Sequence, residues 1–122
     1  MRVWRLRPAG EFERVRVNGR SWPHRLLVII IQRRTAGRDD PPRVAVAAGR
    51  RLGGAVVRNQ IKRKLRAAIR QAYPNIAPGL DLIVMARAPI VGETVSSITA
   101  ALIEVLQRAQ VWRASSAGSN TV

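Results

Sequence analysis

Between Val57 and Ala72 apolar residues return every three or four positions, at Val57, Ile61, Leu65, Ile69 and Ala72. That spacing lays a single apolar stripe along a helix. The same period recurs near the end of the chain in Ile98, Leu102, Val105, Leu106 and Ala109, with Thr94 or Ser96 placed to cap the helix start. Shorter patterns lie before and between them. Leu26 to Ile31 is a continuous run rich in β-branched residues and predicts a buried strand; Leu80 to Ala86 (LDLIVMA) predicts another. Arg43 to Ala48 alternates, with Ala45 and Ala47 on one face and Val44, Val46 and Ala48 on the other. Two small residues on one face predict a shallow trough there.

Ahead of these, Pro8, Glu11 and Glu13 suit the first turn of a short helix, with Phe12 and Val15 facing inward and Gly19 as its stop. Turn composition separates the elements at Thr35 to Pro42, Pro74 to Gly79 and Pro89 to Glu93. Residues 114–122 (ASSAGSNTV) are small and polar, which predicts a disordered tail after one domain spanning 1–113. The order of helix, strands, helix, strand and helix is that of an α+β fold with one pair of layers.

Charge changes the picture. Twenty-two Lys and Arg against seven Asp and Glu give a formal charge of +15, and only Lys62 and Lys64 among the cations are lysine. Eight of those cations fall within Arg50 to Tyr73 (Arg50, Arg51, Arg58, Lys62, Arg63, Lys64, Arg66 and Arg70), a stretch without any acid. On the predicted helix Arg58, Lys62, Arg66 and Arg70 stack beside the apolar stripe, and Arg63 widens the band. One side of the helix thus serves a core and the other a polyanion. Guanidinium forks grip phosphate with two bonds, and each neutralised phosphate releases counterions. The Gly53-Gly54 pair ahead of the helix allows close backbone approach.

Other classes are disfavoured. Without cysteine there is no disulfide and no thiolate metal site, which fits a reducing cytosol and predicts a cytoplasmic protein. The start of the chain has no apolar core of signal-peptide length. The longest apolar run, Leu26 to Ile31, is far short of the roughly 20 residues a membrane span needs. A protein-only nuclease requires acid–base groups or clustered metal ligands. Here His24 stands alone beside Pro23 and Arg25, and Asp39 and Asp40 precede two prolines in a turn. Gly49 to Gly54 lacks the spacing of a nucleotide-binding loop. No catalytic or metal-binding residue is expected in the chain itself.

At AVVRNQIKRKLR (Ala55 to Arg66), preceded by Arg50-Arg51-Leu52-Gly53, the sequence resembles the protein subunit of bacterial ribonuclease P. Arg58, Asn59, Ile61, Lys62, Arg63 and Arg66 match that family's signature. Weaker matches follow in order from about Trp4 to Trp112: Phe12-x-x-Val15 with Gly19, Arg43-Val44, and Pro78-Gly79-x-Asp81. The resemblance implies a compact α/β sandwich of the kind seen in the second domain of a small-subunit ribosomal protein. Its sheet would be mostly antiparallel, with three helices and a left-handed βαβ crossover, although connectivity rules alone favour the right-handed sense. It implies that catalysis belongs to a partner RNA carrying Mg²⁺, while the protein helps hold the 5′ leader of precursor tRNA. By position, Arg50, Arg51, Arg58, Asn59, Lys62, Arg63, Arg66 and Arg70 would contact the catalytic RNA. Phe12, Arg16, Ile30, Val46 and Ala47 would wall the leader cleft.

Four positions depart from the family pattern. Gln60 replaces a usual cation, Ala67 a common Glu, and Arg16 and Ile30 stand at cleft positions that are often aromatic. A structural RNA-binding protein of ribosomal type would share the basic surface and the missing catalytic groups. A basic helix for DNA or a membrane surface is disfavoured, because the apolar stripe is needed for the core; neither DNA nor a membrane is expected as a partner.

Overall fold

The computed structural model describes residues 10–113, apart from 36 and 38. Pro8 and the expected tail therefore lie outside the described residues. The elements follow in order as α1 (Gly10–Asn18), β1 (Arg20–Pro23), β2 (Leu27–Arg33), β3 (Arg43–Ala47), α2 (Ala55–Ala72), β4 (Leu80–Ala86) and α3 (Val95–Arg108). One sheet has the order β1-β2-β4-β3, antiparallel at its first two pairings and parallel between β3 and β4. The chain must therefore cross over between β3 and β4, and α2 makes that crossing.

Register decides which side chains share a face. Ile29 pairs with Val84 and Ile31 with Leu82, while Val44 pairs with Leu82 and Val46 with Val84. These apolar residues point one way and meet α2 and α3. Ile61, Leu65, Ala68, Ile69 and Ala72 of α2, with Ile98, Ala101, Leu102, Val105 and Leu106 of α3, complete the main core. The alternate positions point to the other face, where Val15 of α1 buries against Ile30 and Ile83. Helices on both faces make the predicted sandwich.

Capping explains the helix limits. Thr94, rather than Ser96, starts α3: its side chain accepts the Ser97 amide at 3.0 Å. The helix closes when Val111 N donates to Leu106 O at 3.0 Å, with Gln110 in the left-handed region at φ 62°. Ala109, expected within the stripe, is the C-terminal cap. At the end of α2 Pro74 cannot donate, and the chain tightens into a 3₁₀ turn over Tyr73–Asn75.

Strand β1 was not expected. Its four residues, RSWP, carry no apolar alternation. The cause is Gly19: a Cβ there would lie 2.6 Å from Val15 O and 2.7 Å from the Ile30 side chain. The bare backbone lets the chain leave α1 close over β2 and pair with it. β2 also starts one residue later than its apolar run and extends through Gln32 and Arg33.

Candidate nucleic-acid interface

The sheet face turned toward α1 forms the first part of the site. Val28 and Ile30 of β2, Ile83 and Met85 of β4, and Ala45 and Ala47 of β3 stand on it, with Phe12 of α1 against them. Val15, Ile30 and Ile83 are buried, whereas Phe12, Val28, Ala45, Ala47 and Met85 remain half-exposed. The alanines give no bulk above the backbone, so a shallow groove runs along β3 beside α1. Of the residues assigned to this cleft, Phe12, Ile30 and Ala47 belong to its wall. Val46 does not. Strand alternation turns it to the opposite face, where it packs against the main core. Arg16 stands exposed one helical turn beyond Phe12 and holds Glu13 in an ion pair.

Asp81 fixes α1 over this groove. Its carboxylate is fully buried and receives Arg14 Nη2 at 2.7 Å, Arg34 Nη1 at 2.7 Å, and Arg43 through Nε and Nη2, both at 3.0 Å. Arg43 also donates to Glu11 at 2.7 Å, and Arg14 to Gln32 at 2.8 Å. Helix and sheet are thus joined through one anion. Burial by itself raises the Asp81 carboxyl, but hydrogen bonds from Arg43, Arg14 and Arg34 outweigh it and hold the group below the ordinary range. The Pro78-Gly79-x-Asp81 match put this residue in view but not its role. Its partners lie 38 to 67 residues away in the chain.

The second part is the outer surface of α2. At about 100° per residue, Arg58 lies in line with the buried stripe at the start of the helix, Lys62 flanks the stripe, and Arg66, Asn59, Arg70 and Arg63 continue round one side. Arg58, Lys62 and Arg66 are half-buried; Asn59, Arg63 and Arg70 are exposed. Arg58 Nε is buried and has no hydrogen-bond partner among the described residues. Lys64 lies on the other flank and donates to Glu93 O at 2.8 Å, which ties it to the loop before α3. Ala67 and Gln60 come next round the helix, adjoining the Arg63 edge of the band.

Arg50 and Arg51 form an exposed 3₁₀ turn ahead of α2. Gly53 follows at φ 139°, where a Cβ would press to 3.1 Å from Val57. Between this turn and the end of β4 lies a recess of about 710 Å³, lined by residues including Ala47, Met85, Arg50, Arg51 and Arg87. Ala47 and Met85 also belong to the groove. The apolar groove therefore opens directly into the arginine turn, a continuity that pattern reading missed because Met85 and Arg87 come from another strand end.

The lone histidine has structural partners. His24 Nδ1 accepts the Leu26 amide at 3.0 Å within the β1–β2 turn, and its Nε2 lies 3.4 Å from Glu104. Asp39 and Asp40 are exposed in the loop before β3. Among the described residues no group of three or more His, Cys, Asp or Glu is placed to hold a metal ion, and no helix is long and apolar enough to cross a membrane.

A basic helix beside a groove is shared by several RNA-binding folds, and comparison with known proteins separates them. The sequence model of the family described as Ribonuclease P matches residues 1–110. The chain belongs to the bacterial ribonuclease P protein family. The ribonuclease P protein component of Roseiflexus sp. (strain RS-1) is 38% identical over 120 residues, covering 98% of this chain and 96% of that protein. The ribonuclease P protein component of Herpetosiphon aurantiacus is 40% identical over 111 residues, covering 91% of this chain and 88% of that protein. Among solved structures, the ribonuclease P protein of Staphylococcus aureus superposes with a TM-score of 0.77 at 30% identity, covering 90% of this chain and 98% of that one. That of Thermotoga maritima gives 0.74 at 25% identity, covering 85% and 96%. A ribonuclease P subunit belongs to a tRNA-processing endoribonuclease and associates with ribonuclease P RNA.

Proposed function

We propose that this ribonuclease P subunit holds the 5′ leader of precursor tRNA in the α1–sheet groove while α2 docks on the catalytic RNA. The observation that carries the reading is the opening of the groove at Ala47 and Met85 into Arg50, Arg51 and Arg87. A single strand lying over the alanines meets cations as it leaves, at the end of the molecule from which α2 begins. Phe12 offers a half-exposed ring to a base, and Arg16 offers a planar cation at the groove mouth. The Arg58, Asn59, Lys62, Arg63, Arg66 and Arg70 band meets phosphates from a helix, so little backbone ordering is needed at each contact.

Catalysis in this reading belongs to the RNA and to Mg²⁺ held on its phosphates. Asp81, a buried carboxylate, is already occupied by three guanidinium groups and is not available as a ligand. The protein contributes position and charge: it neutralises phosphates that otherwise repel one another and keeps the leader extended. The reading places the chain in the cytoplasm with its RNA, and takes the β3–α2–β4 crossover as left-handed. Mixed with a bacterial ribonuclease P RNA at low Mg²⁺, the purified chain should restore precursor cleavage. No cleavage here, under conditions where the Staphylococcus aureus subunit succeeds, overturns the proposal.

A further inference from the structure

A second basic recess lies at the opposite edge of the sheet. It has a volume of about 600 Å³ between the end of α3 and the start of β1, and its lining includes Arg20, Trp22, Arg33, Arg108, Gln32 and Gln110. Strand β1 and strand β3 are the two edges of the sheet, so this recess is separated from the Arg50-Arg51 turn by the full sheet width. We infer that it is a second RNA-binding site, taking a phosphodiester and an adjacent base of an unpaired ribonucleotide strand. It is independent of the groove and of the α2 band.

Three observations converge. Arg20, Arg33 and Arg108 all line the recess and no acid does, so their field favours an anion. The Arg20 guanidinium sits 4.4 Å from the centroid of the half-buried Trp22 ring. Held against the indole, that planar cation forms a platform of the kind on which unpaired bases stack. Arg108 donates to Pro23 O through Nη2, which positions its guanidinium at the recess.

The third observation is Gln110. Its φ of 62° lies in the left-handed region, where glycine is the unstrained choice at the end of a helix. A long amide side chain instead stands at this helix end, on the wall of the recess. Amide groups read base edges and the 2′-hydroxyl, which favours RNA over a lipid surface.

The test follows the Trp22 indole N–H resonance of the full chain as a short unstructured oligoribonucleotide is added. The expected result is saturable movement of that resonance and its loss in Arg33→Glu, with affinity at this site falling about tenfold or more. Arg25→Glu makes the same change of charge at an exposed turn residue and should leave the Trp22 response in place. Arg33 is chosen because Arg108 also anchors a backbone carbonyl. Movement confined to α2 resonances, equal losses in the two variants, or a response to anionic vesicles but not to RNA would each overturn the inference. Since the readout is local to Trp22, failure of leader binding in the groove would leave it intact.

Discussion

A single carboxylate decides how α1 meets the sheet. Removing the charge of Asp81 leaves Arg14, Arg34 and Arg43 around an uncompensated site, and breaking a buried pair in this way costs about 3–5 kcal/mol. Arg14 and Arg43 are partly exposed, so Asp81→Asn is expected near the lower end, about 3 kcal/mol. A urea titration should show the midpoint fall with an unchanged slope. The pH dependence has a definite sign. The Asp81 carboxyl is held below its ordinary range in the folded state, so its contribution is present above the unfolded value of about 3.9 and lost as pH falls through the folded value. Wild type should therefore lose stability in acid more steeply than Asp81→Asn. None of this was legible beforehand, because Asp81 reads as one polar residue within a strand and its cations come from three distant elements. The cations of α2 were legible, since one helix carries them at a fixed spacing. Arg63→Ala and Arg66→Ala should each weaken association with the catalytic RNA and lower its salt slope by about one. Lys64→Ala should leave that slope unchanged, because Lys64 is bound to Glu93 O on the other flank.

Helix α2 was recoverable from sequence almost whole because it satisfies two demands at once. Its apolar period fixes which side is buried, and the cations must then lie on what remains. The structure adds that they favour one side of that remainder. A rod that meets six to ten phosphates should lose roughly 10³–10⁵ in affinity between 50 and 200 mM salt, measurable by filter binding with the catalytic RNA. A flat response would remove α2 from the interface. Helix α3 shows how local chemistry settles an ambiguous start: Thr94, not Ser96, accepts the Ser97 amide. Thr94→Ala should cost about 1 kcal/mol in thermal unfolding, with little effect from Ser96→Ala. Strand β1 escaped the pattern because it is an edge whose pairing is permitted by a missing side chain at Gly19, and periodicity carries no such signal. Val46 was misplaced for a related reason: the resemblance supplied a position in the cleft, but the period of two sends it to the core.

At the scale of the molecule, the sheet divides the work. Its α2–α3 face carries most of the buried apolar surface, which leaves the α1 face free to stay shallow and partly exposed. Small residues on β3 are tolerable there because stability is supplied elsewhere. The groove, its arginine exit and the rod of α2 are built on one sheet, so in the proposed reading leader and catalytic RNA would share a scaffold. The most direct test compares the reconstituted holoenzyme's affinity for precursor tRNA and for mature tRNA, with wild-type protein and with Ala47→Glu. A carboxylate at Ala47 would stand in the path proposed for the leader, where the groove opens toward the arginines. The expected result is tighter binding of the precursor by wild type, reduced about tenfold by Ala47→Glu while mature tRNA binds as before. Equal affinity for precursor and mature tRNA, or a precursor affinity untouched by the carboxylate, would contradict the account.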